Sequence, residues 1–379
     1  MPTPVDRLRW SVLAVGVAAL ATAVGLDSRA AGSAAAQDWP PFVLVAGLLL
    51  VGRAAADDGL FEVGGSLMAR AARGGFSLLA GAAVLLALVT AVLNLDTAVA
   101  FVTPVLVLAA RNQGSDEEPY LYLALFLSNG ASLLLPGSNL TNLIVLGEHH
   151  VTGAVFAAHM APAWAVTSVT VPLVVALFYR RSLARQTRPV DGTDRRMVPG
   201  LGVVAVAVAV VAIVLLSGGA VALVVVATGM VAVGWRVVRG RMPLDEARRS
   251  VDVPVLAGLF GLAMGLGTLG RAWSWPSSLV AHGSSWAAAG VGGLTSVVVN
   301  NLPAASLLAA RPVADPYALL VGLNLGPNLA VTGSLSAVLW LQVARTVGAR
   351  PSALRVSRLG IVVAPLSIAA AVGALTLLR

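Results

Sequence analysis

One carboxylate stands inside a long apolar stretch of this 379-residue chain. Asp96 lies in the short polar run "NLDT" between the apolar segments 75–93 and 98–110. If these segments lie in a membrane, a charged side chain near the bilayer centre costs roughly 2.5 to 3.5 kcal/mol, so it is usually kept for a function. An acid there would bind a proton or a sodium ion. The alternative is structural, with "DT" capping the helix that follows.

Uncharged amide and hydroxyl side chains gather in four short segments of the same chain. Such groups both donate and accept hydrogen bonds, which suits a polar, uncharged solute. Together with Asp96, the residues predicted to bind a solute or ion are Asn94, Thr97, Asn129, Ser138, Asn139, Asn142, Asn300, Asn301, Asn324, Asn328, Thr332 and Ser334. The alternative is that roughly half of them only satisfy backbone groups left open where helices are interrupted.

The composition places most of the chain in lipid. Hydrophobic residues make up 58% of the sequence and charged residues only 11%, against roughly 25% in soluble domains. Apolar runs such as 199–216 and 219–235 approach the roughly 20 residues that a helix needs to cross a bilayer. The runs are continuous and lack the alternation of a membrane β-barrel strand. We therefore predict an all-α polytopic membrane protein.

Missing residue types exclude several functions. The sequence contains no Cys, so disulfides and thiolate metal sites are impossible. All 25 basic residues are Arg, and a chain without Lys has no ATP-binding Walker loop. The run "EHH" at 148–150 is only a weak metal signal. We predict no enzyme activity, no catalytic residue, no metal site and no cofactor, with a proton or sodium as the coupling ion.

The arginines also predict an orientation, because basic residues accumulate on the cytoplasmic side. Starting with the N-terminus inside, 21 arginines fall on the cytoplasmic side and four outside. They separate apolar spans and form no patch in a soluble domain, so we expect no nucleic-acid partner. The prediction is an inner-membrane protein with cytoplasmic N-terminus and Arg-rich linker, and a periplasmic or extracellular C-terminus. The alternative that residues 1–36 are a cleavable signal peptide stays open here.

The order helix, hairpin, interrupted span and helix occurs twice, in opposite orientation. The predicted units are a first inverted repeat 1–179, with re-entrant hairpin 75–110 and broken helix 120–147, an Arg-rich linker 180–198, a connecting helix 199–216, and a second repeat 217–379, with hairpin 285–311 and broken helix 317–345. Alignment of the repeats pairs Asn94 with Asn301 and Ser138 with Ser334. Inverted repeats with discontinuous helices hold solute and ion sites near the bilayer midplane, so the pattern indicates transport.

Five segments together resemble a known family. They are "GLFE" at 59–62, "LNLDTAVAFVTPVLVLAAR" at 93–111, "SLLLPGSNLTNLIVLG" at 132–147, "VVVNNLPAASLLA" at 297–309 and "LNLGPNLAVTGSLSAVLWL" at 323–341. The chain is similar, in this order and over nearly its whole length, to the arsenite efflux permeases, the arsenical pump membrane proteins of the ion transporter superfamily. Similar permeases often have "SND" at the first hairpin tip, where this sequence has "NLD".

The resemblance implies export of arsenite or antimonite in exchange for protons, with an elevator-like movement of the hairpins against a scaffold. It implies that Asp96 is the proton-linked residue and that the first helix is retained. The alternatives within the superfamily are a sodium/proton antiporter and a sodium-coupled anion symporter of the dicarboxylate type. The expected partners are a small inorganic solute and the lipid bilayer. A homodimer and a cytoplasmic ATPase subunit are further expectations.

Overall fold

The computed structural model describes residues 4–147, 151–185 and 200–378, and every regular element in these ranges is helical. Among the described residues, eight helices are long and apolar enough to cross a bilayer. This confirms the prediction of an all-α polytopic membrane protein. The weak metal signal at 148–150 and most of the predicted linker 180–198 lie outside the described residues.

The first half of the chain begins with two long helices, and the second half repeats the pattern after a connecting helix. The first half contains α1 (Pro4–Leu26), α2 (Ser28–Asp57), α3 (Leu60–Ala71), α4 (Gly75–Val92), α5 (Leu95–Thr97), α6 (Thr103–Asn112), α7 (Glu118–Ala131), α8 (Leu140–Leu146), α9 (Gly153–Phe178) and α10 (Arg180–Leu183). The second half contains α11 (Leu201–Leu215), α12 (Gly218–Val238), α13 (Leu244–Arg249), α14 (Val253–Ala272), α15 (Trp275–Ala281), α16 (Ser285–Val299), α17 (Asn301–Leu308), α18 (Pro316–Leu325), α19 (Leu335–Thr346) and α20 (Ala353–Leu377).

A scaffold forms from helices α1, α2, α11, α12 and α14, which pack mainly on one another. Helix α1 lies against α14, and α2 lies against α12. Small residues permit the close approach: a Cβ added to Gly16 would lie 2.0 Å from the carbonyl oxygen of Gly258, and one added to Gly47 would lie 2.6 Å from the nitrogen of Val226. Helices in lipid associate through such small-residue contacts. Each repeat thus contributes one helix to each scaffold contact.

Helix α2 continues through a pair of prolines. It starts at Ser28, upstream of Pro40 and Pro41, and includes both of them. The side chain of Asp27 accepts hydrogen bonds from the backbone nitrogens of Arg29 and Ala30 and so caps the N-terminus. A well-capped start 12 residues upstream makes the two prolines internal to the helix.

The hairpins and broken helices form the interior of the molecule. Helices α4 and α5–α6 make the first hairpin, and α16 and α17 make the second. The first broken helix is α7 with α8, and the second is α18 with α19. Every residue of α7 from Pro119 to Ala131 is buried, as is every residue of α18 from Ala318 to Leu325. Short 3₁₀ turns at Pro136–Ser138, Gly326–Leu329 and Val331–Gly333 join the half-helices.

The two broken helices run in opposite directions, as inverted repeats require. Glu118 at the start of α7 forms an ion pair with Arg355. The hydroxyl of Tyr122, one turn further, accepts a hydrogen bond from the backbone nitrogen of Ser352 at 3.1 Å. Both partners follow α19 in the chain, so α19 ends where α7 begins. Helix α8 likewise packs along α18.

A buried ion pair fastens one end of the scaffold. Arg236 on α12 pairs with Asp58 at the end of α2, and their side chains are 12% and 5% exposed. Asp58 also accepts a hydrogen bond from the backbone nitrogen of Val203 at 3.2 Å. The pair therefore joins α2, α11 and α12.

We expect Asp58→Ala to lower the free energy of unfolding by about 3 kcal/mol, because it removes the close counter-ion of a buried guanidinium and leaves it only Asp57 at 3.8 Å. The comparison is Glu118→Ala, which removes the partner of the half-exposed Arg355 and is expected to cost about 0 to 1 kcal/mol. Unfolding of the purified protein in mixed micelles, followed by tryptophan fluorescence, measures both. Equal losses for the two variants would contradict the buried-pair argument.

Candidate functional site

Five of the predicted amides meet where the two broken helices are interrupted, and they bond mainly to one another. Asn324 is central: its Oδ1 accepts from Asn139 and, at 3.0 Å, from the hydroxyl of Ser132, and its Nδ2 donates to Asn142 Oδ1 at 2.8 Å. All four side chains are at most 3% exposed. These residues therefore tie the first break to the second.

A second bond of the same kind joins the breaks nearby. Asn129 Nδ2 donates to Asn328 Oδ1 at 2.8 Å, and Asn328 Nδ2 donates to the carbonyl oxygen of Phe126 at 3.1 Å. Asn129 and Asn324 occupy equivalent places at the ends of α7 and α18, and each reaches into the break of the other repeat. We refer to Asn129, Ser132, Asn139, Asn142, Asn324 and Asn328 as the amide core. Its reciprocal bonds fit an approximate two-fold relation between the repeats.

The tip of the first hairpin is a single sharp break. Asn94 caps α5, and its Oδ1 accepts from the backbone nitrogen of Thr97 at 2.7 Å. Asp96 lies in the first helical turn, where a negative charge interacts favourably with the exposed N–H groups of the helix. The helix then widens into a π-helical turn at Ala98–Val102 before Pro104. Proline removes a backbone donor and disturbs the preceding turn, which accounts for this position of the π-turn.

Asp96 connects the first hairpin to the second repeat. Its Oδ1 accepts a hydrogen bond of 2.6 Å from the hydroxyl of Ser336, in the first turn of α19. The predicted residue Ser334 caps the same helix by accepting from the backbone nitrogen of Ala337. The carboxylate is thus half-buried between a hairpin of one repeat and a broken helix of the other.

The tip of the second hairpin approaches the same segment. Asn300 has a φ of 78°, within the left-handed region, and among described non-glycine residues no other has a positive φ. Its Nδ2 donates to the carbonyl oxygen of Thr332 at 3.2 Å. Thr332 lies four residues before Ser336, so segment 332–336 contacts both hairpin tips. This arrangement brings the acid and both hairpins to one place.

Several buried polar atoms around the first tip lack a protein partner. They are the amide nitrogen of Asn94 and the hydroxyls of Thr90, Thr97 and Thr103. All four residues are at most 1% exposed. Buried polar groups are nearly always hydrogen-bonded, so unpaired ones point to a solute, an ion or water as partner. These atoms flank Asp96 in the chain on both sides.

Comparison with known families now defines the class. The family model described as "CitMHS: Citrate transporter" matches residues 5–348 of the chain. The chain belongs to the citrate transporter family. The crystal structure of the Alcanivorax borkumensis YdaH transporter, described as having an unusual topology, has a TM-score of 0.57 and 16% identity, over 89% of this chain and 85% of that one. At this identity the likeness shows the fold alone.

Membership of the citrate transporter family makes the chain a multi-pass membrane transporter. The family model that matches is that of the citrate transporters. It is not a model of the narrower arsenite permease family that the motifs resemble. The sequence predicts no enzyme activity. The matched family and the similar fold are those of transporters, which agrees with this prediction. The solute and the coupling ion stay predictions.

An open cavity of about 670 Å³ leads towards the first break of this family member. It lies between the scaffold and α8, and Gln37, Pro136 and Gly137 are part of its lining. Ser138, the next residue, is buried and donates to the carbonyl oxygen of Ala91 at 2.8 Å. The cavity therefore reaches the first break, and the next residue of the break is bonded to the first hairpin.

The structure corrects the alignment of the repeats by one residue. Asn94 and Asn300 have the same capping role, so Asn300 and not Asn301 is the counterpart of Asn94. Asn139 caps α8 and Ser334 caps α19, so Asn139 and not Ser138 is the counterpart of Ser334. The exact position of a helix cap depends on backbone angles, which matching residue types in two aligned segments do not reveal.

The predicted residues fall into three groups. The amide core contains Asn129, Asn139, Asn142, Asn324 and Asn328; the hairpin tips and segment 332–336 contain Asn94, Asp96, Thr97, Asn300, Thr332 and Ser334; and Asn301 and Ser138 lie beside them. Thr332 is exposed, and its backbone rather than its side chain contacts Asn300. Asp96 is not the cap of its helix, so that structural alternative was wrong. Ser132 and Ser336 were missed, although both lie within the quoted polar runs.

Proposed function

We propose that the chain exports arsenite or antimonite in exchange for protons. The observation that carries the proposal is a carboxylate at the meeting of the two repeats, where Asp96 accepts a hydrogen bond from Ser336. A carboxylate that must lose or gain its proton as it changes environment couples proton flow to solute movement. Protonation of Asp96 alternates with solute binding at the same tips.

The polar groups near Asp96 suit a small neutral solute. The unpaired amide of Asn94 and the unpaired hydroxyl of Thr97 supply hydrogen-bond partners without a charge. Arsenite and antimonite exist mainly as neutral trihydroxides, which amides and hydroxyls bind reversibly. The hairpin tips contain no Arg, so a fixed positive charge for an anionic solute is missing from these segments. We therefore assign binding to the tips and positioning to the amide core.

The movement that we propose is elevator-like, with the hairpins and broken helices sliding against the scaffold. Each hairpin contacts one scaffold helix. A Cβ added to Gly52 of α2 would lie 2.5 Å from Cγ2 of Thr97, and one added to Gly270 of α14 would lie 2.6 Å from the Cβ of Ala310. Contacts through glycine are smooth and close, which favours sliding over interlocked side chains. A contact of this kind at each hairpin supports movement of both hairpins as one body.

Growth under stress tests the solute. Expression in an arsenite-sensitive strain is expected to raise the tolerated arsenite concentration several-fold and to leave growth in sodium or at alkaline pH unchanged. In everted membrane vesicles, an inward-acidic pH gradient is expected to drive arsenite uptake. Vesicles that take up no arsenite but exchange sodium for protons would replace arsenite export by cation antiport.

A second candidate function, anion symport, rests on one observation near the end of the second hairpin. Arg271, Arg311 and Gln37 line a cavity of about 280 Å³ between α2, α14 and the end of the second hairpin. Two guanidinium groups there would attract an organic or inorganic anion. A sodium-coupled anion symporter predicts sodium-dependent citrate or dicarboxylate uptake by whole cells. That uptake, without arsenite resistance, would favour this candidate.

The orientation proposed is the one that the arginines predict. It places the N-terminus and the segment after α9 in the cytoplasm, and the C-terminus outside. Cysteine accessibility decides it, because the chain has no Cys of its own. Ala184→Cys is expected to react with a membrane-impermeant maleimide only in everted vesicles. Labelling of Ala184→Cys in intact spheroplasts would reverse the orientation.

A further inference from the structure

A basic pocket lies where α9 leaves the apolar region. Arg180, Arg181 and Arg185 line a cavity of about 660 Å³ together with Asp116 and Ser182. All three arginines are exposed, and within the described ranges none of them forms an ion pair. Asp116 is engaged by other groups, since its Oδ2 accepts from the hydroxyl of Ser182 at 2.7 Å. The pocket thus presents guanidinium groups that form no ion pair with any described residue.

An exposed apolar surface adjoins these guanidinium groups. Leu177 and Phe178, which line the same cavity, are 59% and 51% exposed at the end of α9. Leu173, one turn earlier, is 55% exposed. Residues i and i+4 lie on one face of a helix, so Leu173 and Leu177 form a stripe leading to the arginines. Positive charge at the end and apolar side chains along the helix match the two parts of a phospholipid.

We propose that this pocket binds the headgroup of an anionic phospholipid, with one acyl chain along Leu173 and Leu177. Guanidinium groups bind phosphate oxygens through paired N–H donors, which favours a phosphate over a solvated carboxylate. Basic pockets between membrane helices on the cytoplasmic side bind acidic lipid headgroups. The acyl chain distinguishes a lipid from a free phosphate, because only the lipid also contacts the apolar stripe.

The site contacts the base of the first hairpin. A Cβ added to Gly75, the first residue of α4, would lie 2.6 Å from the carbonyl oxygen of Leu183 in α10. The hydroxyl of Tyr120 on α7 donates to the carbonyl oxygen of Gly75 at 3.0 Å. The bond from Ser182 to Asp116 joins α10 to the loop before α7. A lipid held by α10 therefore stabilises the junction of α4, α7 and α9.

Lipid retention and thermal stability test the proposal on the full chain in detergent. The pocket variant is Arg180→Gln, Arg181→Gln, Arg185→Gln, and the matched control is Arg241→Gln, Arg248→Gln, Arg249→Gln, three exposed arginines after α12. The added probes are phosphatidylglycerol, phosphatidylcholine and inorganic phosphate. We expect phosphatidylglycerol to raise the melting temperature of the wild type and the control, and the pocket variant to lose this shift. Native mass spectrometry is expected to show retained phosphatidylglycerol that the pocket variant lacks.

Three results would overturn the lipid site. The pocket variant retaining as much phosphatidylglycerol as the wild type would show that the arginines bind no lipid. Loss of the lipid from the control as well would indicate attraction by overall charge. A melting shift of the same size with inorganic phosphate would indicate a free-anion site. Transport activity enters none of these readouts, so the outcome is independent of the proposed solute.

Discussion

Asp96→Asn is expected to abolish proton-driven transport while the protein stays folded. Asparagine has the size of aspartate, and its carbonyl oxygen still accepts the hydrogen bond from Ser336. Asparagine does not bind and release a proton, so a pH gradient can no longer drive transport through protonation of residue 96. In proteoliposomes we expect arsenite uptake driven by a pH gradient to fall to the level of liposomes without protein. Exchange of labelled for unlabelled arsenite at equal pH is expected to persist.

The control for this experiment is Asp245→Asn, which makes the same chemical change at an exposed position of α13. Its pH-driven uptake is expected to equal that of the wild type. Undiminished pH-driven uptake by Asp96→Asn would remove the carboxylate from coupling. Loss of both uptake and exchange, with normal folding, would assign Asp96 to solute binding only.

Asn324→Leu is expected to cause a large loss of stability, because Asn324 bonds to three other buried side chains. The substitution removes the acceptor of Asn139 and Ser132 and the donor to Asn142. Each buried polar group left unpaired costs about 1 to 3 kcal/mol, and interhelical hydrogen bonds in membrane proteins contribute less on average. We expect a total loss on the order of 2 to 5 kcal/mol. Thermal unfolding of the purified protein measures it.

The matched control is Asn112→Leu, the same change at an exposed residue at the end of α6. It is expected to unfold within a degree or two of the wild type, since exposed substitutions cost about 0.5 kcal/mol or less. The double variant Asn324→Leu with Asn139→Leu should cost less than the sum of the two single changes, because they share a bond. Additive losses would show that the amide core is not one network.

The sequence was sufficient to predict the class of membrane protein and the positions at which the helices are interrupted. Apolar runs of bilayer length predict spanning helices, and Asn, Gly and Pro at matched places predict that two of them are broken. Asn94 and Asn139 are in fact caps of half-helices, which is the role that Asn prefers at a helix start. The repeats were recognisable because the same physical requirement recurs in each.

Pairwise contacts were beyond the reach of the sequence. Ser336 lies 240 residues from Asp96, and no local pattern selects it from the other serines of the second repeat. The reciprocal bonds of Asn129 with Asn328 and of Asn324 with Asn142 depend on the angle at which two half-helices meet. The π-turn at Ala98–Val102 follows from Pro104 only once the surrounding packing is known. Such features are settled by tertiary structure.

The two tips differ in one respect that governs the energetics of a cycle. In the register of the caps, the counterpart of Asp96 is the apolar Leu302. In the proton exchange that we propose, one titratable group would carry one proton per turnover, and exchange against an uncharged solute would then move net charge. The membrane voltage would add to the pH difference, by about 2.3 kcal/mol per 100 mV for each elementary charge. We therefore expect the proposed exchange to be electrogenic and to respond to voltage even where the two compartments have equal pH.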